Sequence, residues 1–149
     1  MQLAFSFNSA RCSGCMACIV ACLDEKDLPG AANAFRHVRS FENPGSAQHT
    51  LSFQSLSCLH CADAPCVVVC PTGSLKKRKQ DGIVTFSRKL CAGCRRCEQA
   101  CLFGAPRFWQ DQTMAKCDFC LERIEAGLEP ACVRVCPTRA LGFGAFLKM

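Results

Sequence analysis

The chain contains the stretch Cys12-Ser13-Gly14-Cys15-Met16-Ala17-Cys18-Ile19-Val20-Ala21-Cys22, in which four cysteines are spaced C-x2-C-x2-C-x3-C. This is a spacing of cysteines that bind 4Fe–4S clusters. Three thiolates this close together in a tight loop can bind three irons of one 4Fe–4S cube. The fourth cysteine lies one helical turn further on, and it binds the other cube in chains that hold two. The stretch therefore predicts a partner run of cysteines elsewhere in the chain.

Three more runs of four cysteines follow the first, and every run opens with a C-x2-C pair and closes with a C-x3-C pair. They comprise Cys58, Cys61, Cys66 and Cys70, then Cys91, Cys94, Cys97 and Cys101, and finally Cys117, Cys120, Cys132 and Cys136. The second and fourth runs end in Cys-Pro-Thr, where proline is expected to stop a short helix and turn the chain back. Four such runs predict two modules that bind two clusters each.

Zinc and disulfides are the alternatives for a cysteine-rich chain. Zinc sites usually use isolated cysteine pairs separated by a longer loop, whereas here three cysteines lie within seven residues in two separate runs. One tetrahedral ion would leave the remaining cysteines of a run in steric competition. A secreted disulfide scaffold is disfavoured because residues 1–11 do not resemble a secretory signal. A zinc-bound interaction module stays open as a different class of function.

The charge balance also points to clusters and away from nucleic acid. The 149-residue chain has a formal net charge of +6 with its thiols counted as neutral. Four oxidised clusters with their thiolates add about −8, which leaves the loaded protein near −2. The basic side chains are therefore interpreted as compensating buried negative charge, and no nucleic-acid partner is expected. No apolar run approaches the roughly 20 residues of a membrane-spanning helix, so no direct membrane span is expected.

Periodicity and turn residues predict short elements around the cysteine runs. The Asp81-Gly82 pair between two strand-like segments is typical of a hairpin turn. The predicted strands are 3–7, 74–79 and 83–86, with 38–41 and 50–54 forming either a hairpin or a surface loop. Short helices are predicted over 16–24, 63–69 and 119–126, a connector over 104–112, and a final strand or extended tail over 140–147.

A few other residues carry competing interpretations. His60, inside the second run, is expected to be a loop residue hydrogen-bonded near a cluster, with a ligand role as the alternative. The basic segment 76–79 is either a solvated face or a docking site for an acidic partner. Arg95 and Arg96 lie inside the third run, where positive charge would raise a cluster's potential. Trp109 packs in the core, over a cluster or at a subunit interface.

Taken together, the four runs resemble those of the four-cluster iron–sulfur subunits of molybdenum- and tungsten-pterin oxidoreductases. These include the electron-transfer subunits of dimethyl sulfoxide, polysulfide and nitrite reductase systems and of formate dehydrogenases. The resemblance covers nearly the whole chain. Besides the cysteines themselves it rests on Pro65, on Cys70-Pro71-Thr72-Gly73, on Phe103-Gly104-Ala105-Pro106-Arg107, on Lys116-Cys117-Asp118-Phe119-Cys120 and on Cys136-Pro137-Thr138.

The resemblance implies an α+β fold of two ferredoxin-like modules in a nested arrangement, the first run pairing with the fourth and the second with the third. Module one would span 1–54 plus 113–149, and module two 55–112. All sixteen ligand positions are cysteine here. The implied ligand sets are site 1 (Cys12, Cys15, Cys18, Cys136), site 2 (Cys22, Cys117, Cys120, Cys132), site 3 (Cys58, Cys61, Cys66, Cys101) and site 4 (Cys70, Cys91, Cys94, Cys97).

As to function, the resemblance implies an electron-transfer subunit with four 4Fe–4S clusters. It would relay single electrons between a molybdenum- or tungsten-pterin catalytic subunit and a redox partner, and it would have no catalytic residues of its own. A flavin-bearing or other electron-accepting subunit, and further copies of the chain, are additional candidate partners. The alternative function is a free-standing soluble polyferredoxin that carries electrons among several enzymes.

In contrast to many such subunits, neither a long C-terminal extension nor an anchor helix is expected for this chain. We therefore expect a compact form, like the small subunits that accompany tungsten aldehyde oxidoreductases and tungsten benzoyl-CoA reductases. Such partners would place it in the cytoplasm. The alternative location is the periplasm, reached by co-export with a catalytic subunit that bears a signal.

Overall fold

The computed structural model describes residues 1–30, 33–43 and 50–146. These residues form short helices and strands, joined by the cysteine-rich loops. The helices are α1 (Ala17–Glu25), α2 (Pro65–Val68), α3 (Arg96–Ala100), α4 (Leu121–Glu125) and α5 (Ala131–Arg134). The strands are β1 (Leu3–Phe7), β2 (Arg36–Asn43), β3 (Thr50–Ser57), β4 (Leu75–Lys77), β5 (Val84–Phe86), β6 (Arg107–Phe108), β7 (Met114–Ala115) and β8 (Leu141–Ala145). In these ranges no helix combines the length and the apolar composition that crossing a lipid bilayer requires.

The described strands pair into four two-stranded antiparallel sheets, β1–β8, β2–β3, β4–β5 and β6–β7. The β1–β8 pairing brings the first and last described strands together, with Leu3 opposite Ala145 and Phe7 opposite Leu141. Helix α1 packs against α5, and α2 packs against α3. Elements near the chain ends thus contact one another, and so do elements in the middle of the sequence.

The predicted mixture of helices and small sheets is confirmed, and most elements lie where the sequence placed them. Strand 3–7 and the hairpin around Asp81-Gly82 are confirmed. Of the two options for 38–41 and 50–54, the structure has a hairpin, because β2 pairs with β3 along both strands. The segment 140–147 contains strand β8, and Leu147 lies outside the described residues.

Helix starts and one connector differ from the sequence prediction. Helix α1 begins at Ala17 because Met16 has a left-handed backbone with φ 62°. Helix α4 begins at Leu121 and not at Phe119, because Phe119 and Cys120 have φ values of 66° and 51° that no α-helix accepts. The segment 104–112 is not merely a connector, since its strand β6 pairs with β7.

A small aromatic group joins the different parts of the core around Phe119, whose side chain is fully buried. Phe119 stacks on Phe5 with ring centroids 4.1 Å apart, and it meets His60 edge-on at 5.3 Å. Cysteines complete the core, because seven of the sixteen are buried. A chain this short has limited apolar surface to bury, so a core built from ligand residues makes its stability depend on what they bind.

Candidate metal centres

The loops of the first and third runs have the same backbone design. Each begins after a short 3₁₀ turn, passes through a glycine with positive φ (68° at Gly14, 66° at Gly93) and enters its helix from a left-handed residue. That residue is Met16 in the first run and Arg95 in the third, with φ 62° and 57°. The two left-handed steps curl each loop around a cavity that its first three cysteines line.

Three groups of four cysteines line three separate cavities. One cavity is lined by Cys12, Cys15, Cys18 and Cys136, a second by Cys58, Cys61, Cys66 and Cys101, and a third by Cys70, Cys91, Cys94 and Cys97. Each cavity therefore takes cysteines from two runs. The membership of these groups coincides with that of sites 1, 3 and 4.

The four remaining cysteines lie where α1, α5 and the Lys116–Cys120 loop meet. Burial is the main reason why the pKa of Cys120 rises to about 11, and the adjacent thiol of Cys132 adds to it. Burial also raises the pKa of Cys22, again with a contribution from Cys132. Cys117 belongs to the same buried core group as Cys22. These are the residues of site 2.

The donor set suits a multi-iron group better than single ions. All sixteen cysteines are free thiols. A single tetrahedral Zn²⁺ with Zn–S bonds of about 2.3 Å would draw its sulfurs to within roughly 3.8 Å of each other. Among the described residues, no three His, Cys, Asp or Glu side chains converge in a manner that could hold one ion. Four sulfurs spread around a cavity fit the larger 4Fe–4S cube.

Backbone N–H groups surround the sulfurs with hydrogen-bond donors. The N–H groups of Ala105, Met114 and Phe119 donate to the sulfurs of Cys101, Cys91 and Cys117 at 3.4, 3.3 and 3.5 Å. Hydrogen bonds to cluster sulfurs raise reduction potentials, so these N–H groups are positioned to tune bound clusters.

The two Cys-Pro-Thr segments form matching contacts. Cys70 Sγ lies 3.7 Å from Thr72 Oγ1, and Cys136 Sγ lies 3.8 Å from Thr138 Oγ1. Burial acts to raise the pKa of Cys136, but the N–H of Leu141 and the Thr138 hydroxyl outweigh it and the pKa is lowered. The role of these threonines was missed at the sequence level, although the repeated Cys-Pro-Thr was a signal that could have revealed it.

Two buried cations lie among the sulfurs, and sequence reasoning assigned neither a role. Lys116 is 1% exposed, and its Nζ lies 3.7 Å from Cys58 Sγ. Arg36 is 2% exposed and donates to Ser55 Oγ at 3.1 Å, and Ser55 Oγ in turn lies 3.7 Å from Cys18 Sγ. Arg36 lies between the first and second runs and outside both, so no local pattern connected it to a site.

Burial makes these positive charges necessary. Burial raises the pKa of the Cys117 thiol well above its ordinary value, with a further contribution from the nearby Cys58. A cysteine must be a thiolate to bind iron. The Phe119 N–H stabilises a thiolate there, and the iron and the ammonium of Lys116 would add nearby positive charge that stabilises it further.

His60 lies where the loop interpretation expects it. Its Nδ1 accepts a hydrogen bond from the Val84 N–H at 2.9 Å, and the ring is 1% exposed. Burial lowers its pKa well below the usual range, helped by the nearby charges of Lys116 and Lys77, so the ring is neutral. It serves to connect the second run to β5.

The basic segment 76–79 is not a uniform charged surface. Lys77 points inward and donates to the carbonyl of Cys61 at 2.9 Å, and Arg78 pairs with Asp81 and with Glu125. Only Lys76 and Lys79 are exposed. Docking of an acidic partner on these two exposed lysines stays a prediction.

Arg95 borders the cavity of site 4, Arg96 lies on the surface, and Trp109 packs in the core. Arg95 and Arg96 are both exposed, and Arg95 pairs with Glu98 at 3.1 Å. Trp109 packs against the core group that contains Cys22, Cys58 and Cys117, so it lies both in the core and near site cysteines.

Comparison with known proteins agrees with this donor set. A family model described as a 4Fe-4S dicluster domain matches residues 49–146, and another with the same description matches residues 11–74. The chain is 41% identical to the probable anaerobic dimethyl sulfoxide reductase chain YnfG of Escherichia coli K12, over 96% of this chain and 73% of that one.

Two further relatives are similar along the same length. A second anaerobic dimethyl sulfoxide reductase chain of Escherichia coli K12 is 40% identical over 96% of this chain and 73% of its own length. The thiosulfate reductase electron transfer subunit PhsB of Salmonella typhi is 43% identical over 96% of this chain and 76% of its own. The chain therefore belongs to the 4Fe-4S dicluster family, and its two dicluster regions, with sixteen cysteines, carry four 4Fe–4S clusters.

Proposed function

We propose that the chain is the electron-transfer subunit of an oxidoreductase complex and relays single electrons between a molybdenum- or tungsten-pterin catalytic subunit and a redox partner. The observation that carries this proposal is the similarity, over 96% of the chain, to a thiosulfate reductase electron transfer subunit and to dimethyl sulfoxide reductase chains. A bound 4Fe–4S cluster supplies one-electron redox chemistry. The chain's residues hold, bury and hydrogen-bond it, while substrate chemistry belongs to the partner.

The proposed ligand sets are the nested sites 1 to 4. The grouping of cysteines around three cavities supports sites 1, 3 and 4. The packing of α1 against α5, and the proximity of Cys132 to both Cys22 and Cys120, support site 2. The pairing of β1 with β8 and of β4 with β5 supports the division into module one (1–54 plus 113–149) and module two (55–112), whereas the β6–β7 pair crosses the proposed boundary near residue 113.

The four sites are proposed to form a line in the order 1, 2, 3, 4. Shared core groups support this order: Cys18 and Cys132 belong to one, Cys58 and Cys117 to another, and Cys66 and Cys97 to a third. Each group contains cysteines of two successive sites. Short separations between successive redox centres would let electrons step along the chain without a mobile carrier.

An exposed apolar area favours a subunit over the free-standing carrier. Leu102 is 93% exposed, Phe103 51% and Leu59 43%, and all three border the cavity of site 3. Large apolar side chains in one exposed area are typical of surfaces that another protein covers.

We place the complex in the cytoplasm, where sixteen thiols stay reduced, with co-export to the periplasm as the alternative.

The proposal is tested by a native pull-down under strictly anoxic conditions, with iron, molybdenum and tungsten quantified in the eluate. We expect about sixteen irons per chain and a co-eluting large subunit that bears molybdenum or tungsten. Sixteen irons without a partner or heavy metal would instead support the soluble carrier. Fractionation of the same cells, following the chain by its iron, tests the cytoplasmic location.

The nested ligand sets are tested by Cys136→Ser. This change should damage the cluster held by Cys12, Cys15 and Cys18, because Cys136 is the fourth ligand proposed for it. The electron paramagnetic resonance signals of the reduced protein report which cluster is lost, with Cys15→Ser as the matched reference for site 1. Loss of the signal that Cys120→Ser removes would contradict the nested assignment.

A further inference from the structure

Lys116 combines burial with contacts to two of the proposed sites. Its Nζ lies 3.7 Å from the sulfur of Cys58, a site 3 residue, and donates at 2.8 Å to the carbonyl of Cys117, a site 2 residue. A third hydrogen bond, to the carbonyl of Val84, holds the ammonium in place. With 1% of its surface exposed, the side chain has almost no contact with solvent.

In the described part of the chain, no carboxylate forms an ion pair with Lys116. Removing an ammonium from water is costly unless negative charge and hydrogen bonds compensate it. Two carbonyl oxygens provide only partial negative charge. The cysteine sulfurs of sites 2 and 3 are the remaining source, and a loaded cluster with four thiolates carries about −2.

We propose that Lys116 sets the reduction potentials of two clusters at the junction of the modules, raising those of sites 2 and 3 together. This inference rests on the ligand sets proposed above. Reduction adds negative charge to a site, so a fixed cation beside it stabilises the reduced form more than the oxidised form. Because the ammonium contacts the sulfur of Cys58 and the carbonyl of Cys117, one positive charge acts on both sites.

Lys77 offers a matched comparison near the same site. Its Nζ also lies beside the second run, but it donates to the backbone carbonyl of Cys61 and to Gln2 Oε1, and no sulfur contact is recorded for it among the described residues. It is also less buried than Lys116, so solvent screens more of its charge. Lys77 should therefore act weakly, on site 3 alone.

The test is a potentiometric titration of anoxic holo-protein, followed by electron paramagnetic resonance, for wild type, Lys116→Met, Lys116→Arg and Lys77→Met. Lys116→Met should lower the equilibrium constant for reduction at least tenfold at two clusters, which is about 59 mV for a one-electron couple. Lys116→Arg, which keeps the charge, should restore most of the loss. Lys77→Met should shift one cluster by a smaller amount.

Unchanged midpoint potentials in Lys116→Met with all irons retained would overturn the inference while leaving the proposed function intact. A wild-type protein without about sixteen irons would instead overturn the proposed function. If Lys116→Met does not assemble, wild-type protein labelled with lysine carrying ¹⁵N at Nζ alone decides. Pulsed paramagnetic resonance should show weak ¹⁵N coupling to reduced clusters that persists in Lys77→Arg and disappears in Lys116→Arg. Absence of that coupling in wild type would overturn the inference.

Discussion

The first and third cysteine runs share one spacing and one loop geometry but have different surroundings. Both loops place glycine at positive φ, at Gly14 and Gly93, and both enter a helix from a left-handed residue. The helices then differ: α1 has nine residues and buries Cys22 within it, whereas α3 has five and ends before Cys101. The same spacing of cysteines and glycine therefore produces the same loop in both runs, but the surroundings of the two loops differ.

The neighbours account for the contrast. The hairpin β2–β3 provides polar contacts to the first run. Ser55 Oγ lies 3.7 Å from Cys18 Sγ and accepts a hydrogen bond from the buried Arg36. Around the third run, Cys97 is enclosed by apolar side chains such as Leu75 and Val84. Burial there raises the pKa of Cys97 to about 11. A bound cluster would be compensated by the buried Arg36 in the first run and by Arg95, which lines the cavity but is exposed to solvent, in the third.

The largest expected effect distinguishes the fourth cysteine of a run from its first three. Cys101→Ser should remove the cluster of Cys58, Cys61 and Cys66 and leave that of the third run itself, because Cys101 lines the other cavity. The measurement is iron content, with about four irons lost, together with the paramagnetic signal that disappears. Cys94→Ser is the matched variant and should remove a different signal. Loss of the same signal in both would show that each run binds its own cluster.

A smaller effect compares the two loop glycines. Alanine at Gly14 or Gly93 costs about 1 kcal/mol or more because an L-residue is strained at positive φ. A Cβ on Gly14 would in addition overlap the Phe53 ring, whereas one on Gly93 would lie 3.0 Å from the Gln112 carbonyl oxygen. Gly14→Ala should therefore destabilise by about 3 kcal/mol and Gly93→Ala by about 1–2 kcal/mol.

The readout is the rate at which the cluster absorbance bleaches in guanidinium chloride, because cluster loss makes unfolding irreversible. Gly14→Ala should bleach faster than Gly93→Ala. Phe53→Ala is the control background. When Gly14→Ala is added to it, the Phe53 ring is absent, so the second change should cost only the backbone strain. Equal bleaching rates for Gly14→Ala and Gly93→Ala would contradict close packing of the β2–β3 hairpin against the loop of the first run.

The smallest effect concerns the hydroxyl beside Cys18. Ser55→Ala removes a hydrogen bond to Arg36 and a hydroxyl close to the sulfur, costing about 1 kcal/mol of stability and lowering the potential of site 1. Ser57→Ala is a matched control, because Ser57 Oγ accepts from Arg36 at 2.9 Å and no sulfur contact is recorded for it in the described residues. If the reduction potential of site 1 shifts equally in Ser55→Ala and Ser57→Ala, the effect comes from the lost hydrogen bond to Arg36 and not from the contact with the Cys18 sulfur.

Much of the local structure was predictable because short-range rules govern it. The Asp81-Gly82 turn, strand 3–7 and the approximate helices after the cysteine loops depend on neighbours a few residues apart. Helix starts were missed at Phe119 and Cys120, where tertiary packing holds residues other than glycine at positive φ. The β6–β7 pair was missed because two-residue strands leave almost no pattern in a sequence.

The sequence by itself determined the chemistry of the sites. Metal preference depends on the type of donor and on the spacing of donors within a loop, and both follow directly from the sequence. Only the tertiary structure decided which charges surround each site. The sequence gives no role to the charge of Lys116 or of Arg36, and folding buries Lys116 beside the Cys58 sulfur and Arg36 behind Ser55, which contacts Cys18. The reason is physical. The local sequence determines which cysteines supply thiolates, but the electrostatic field that acts on a thiolate comes from groups that are distant along the chain and close only in space.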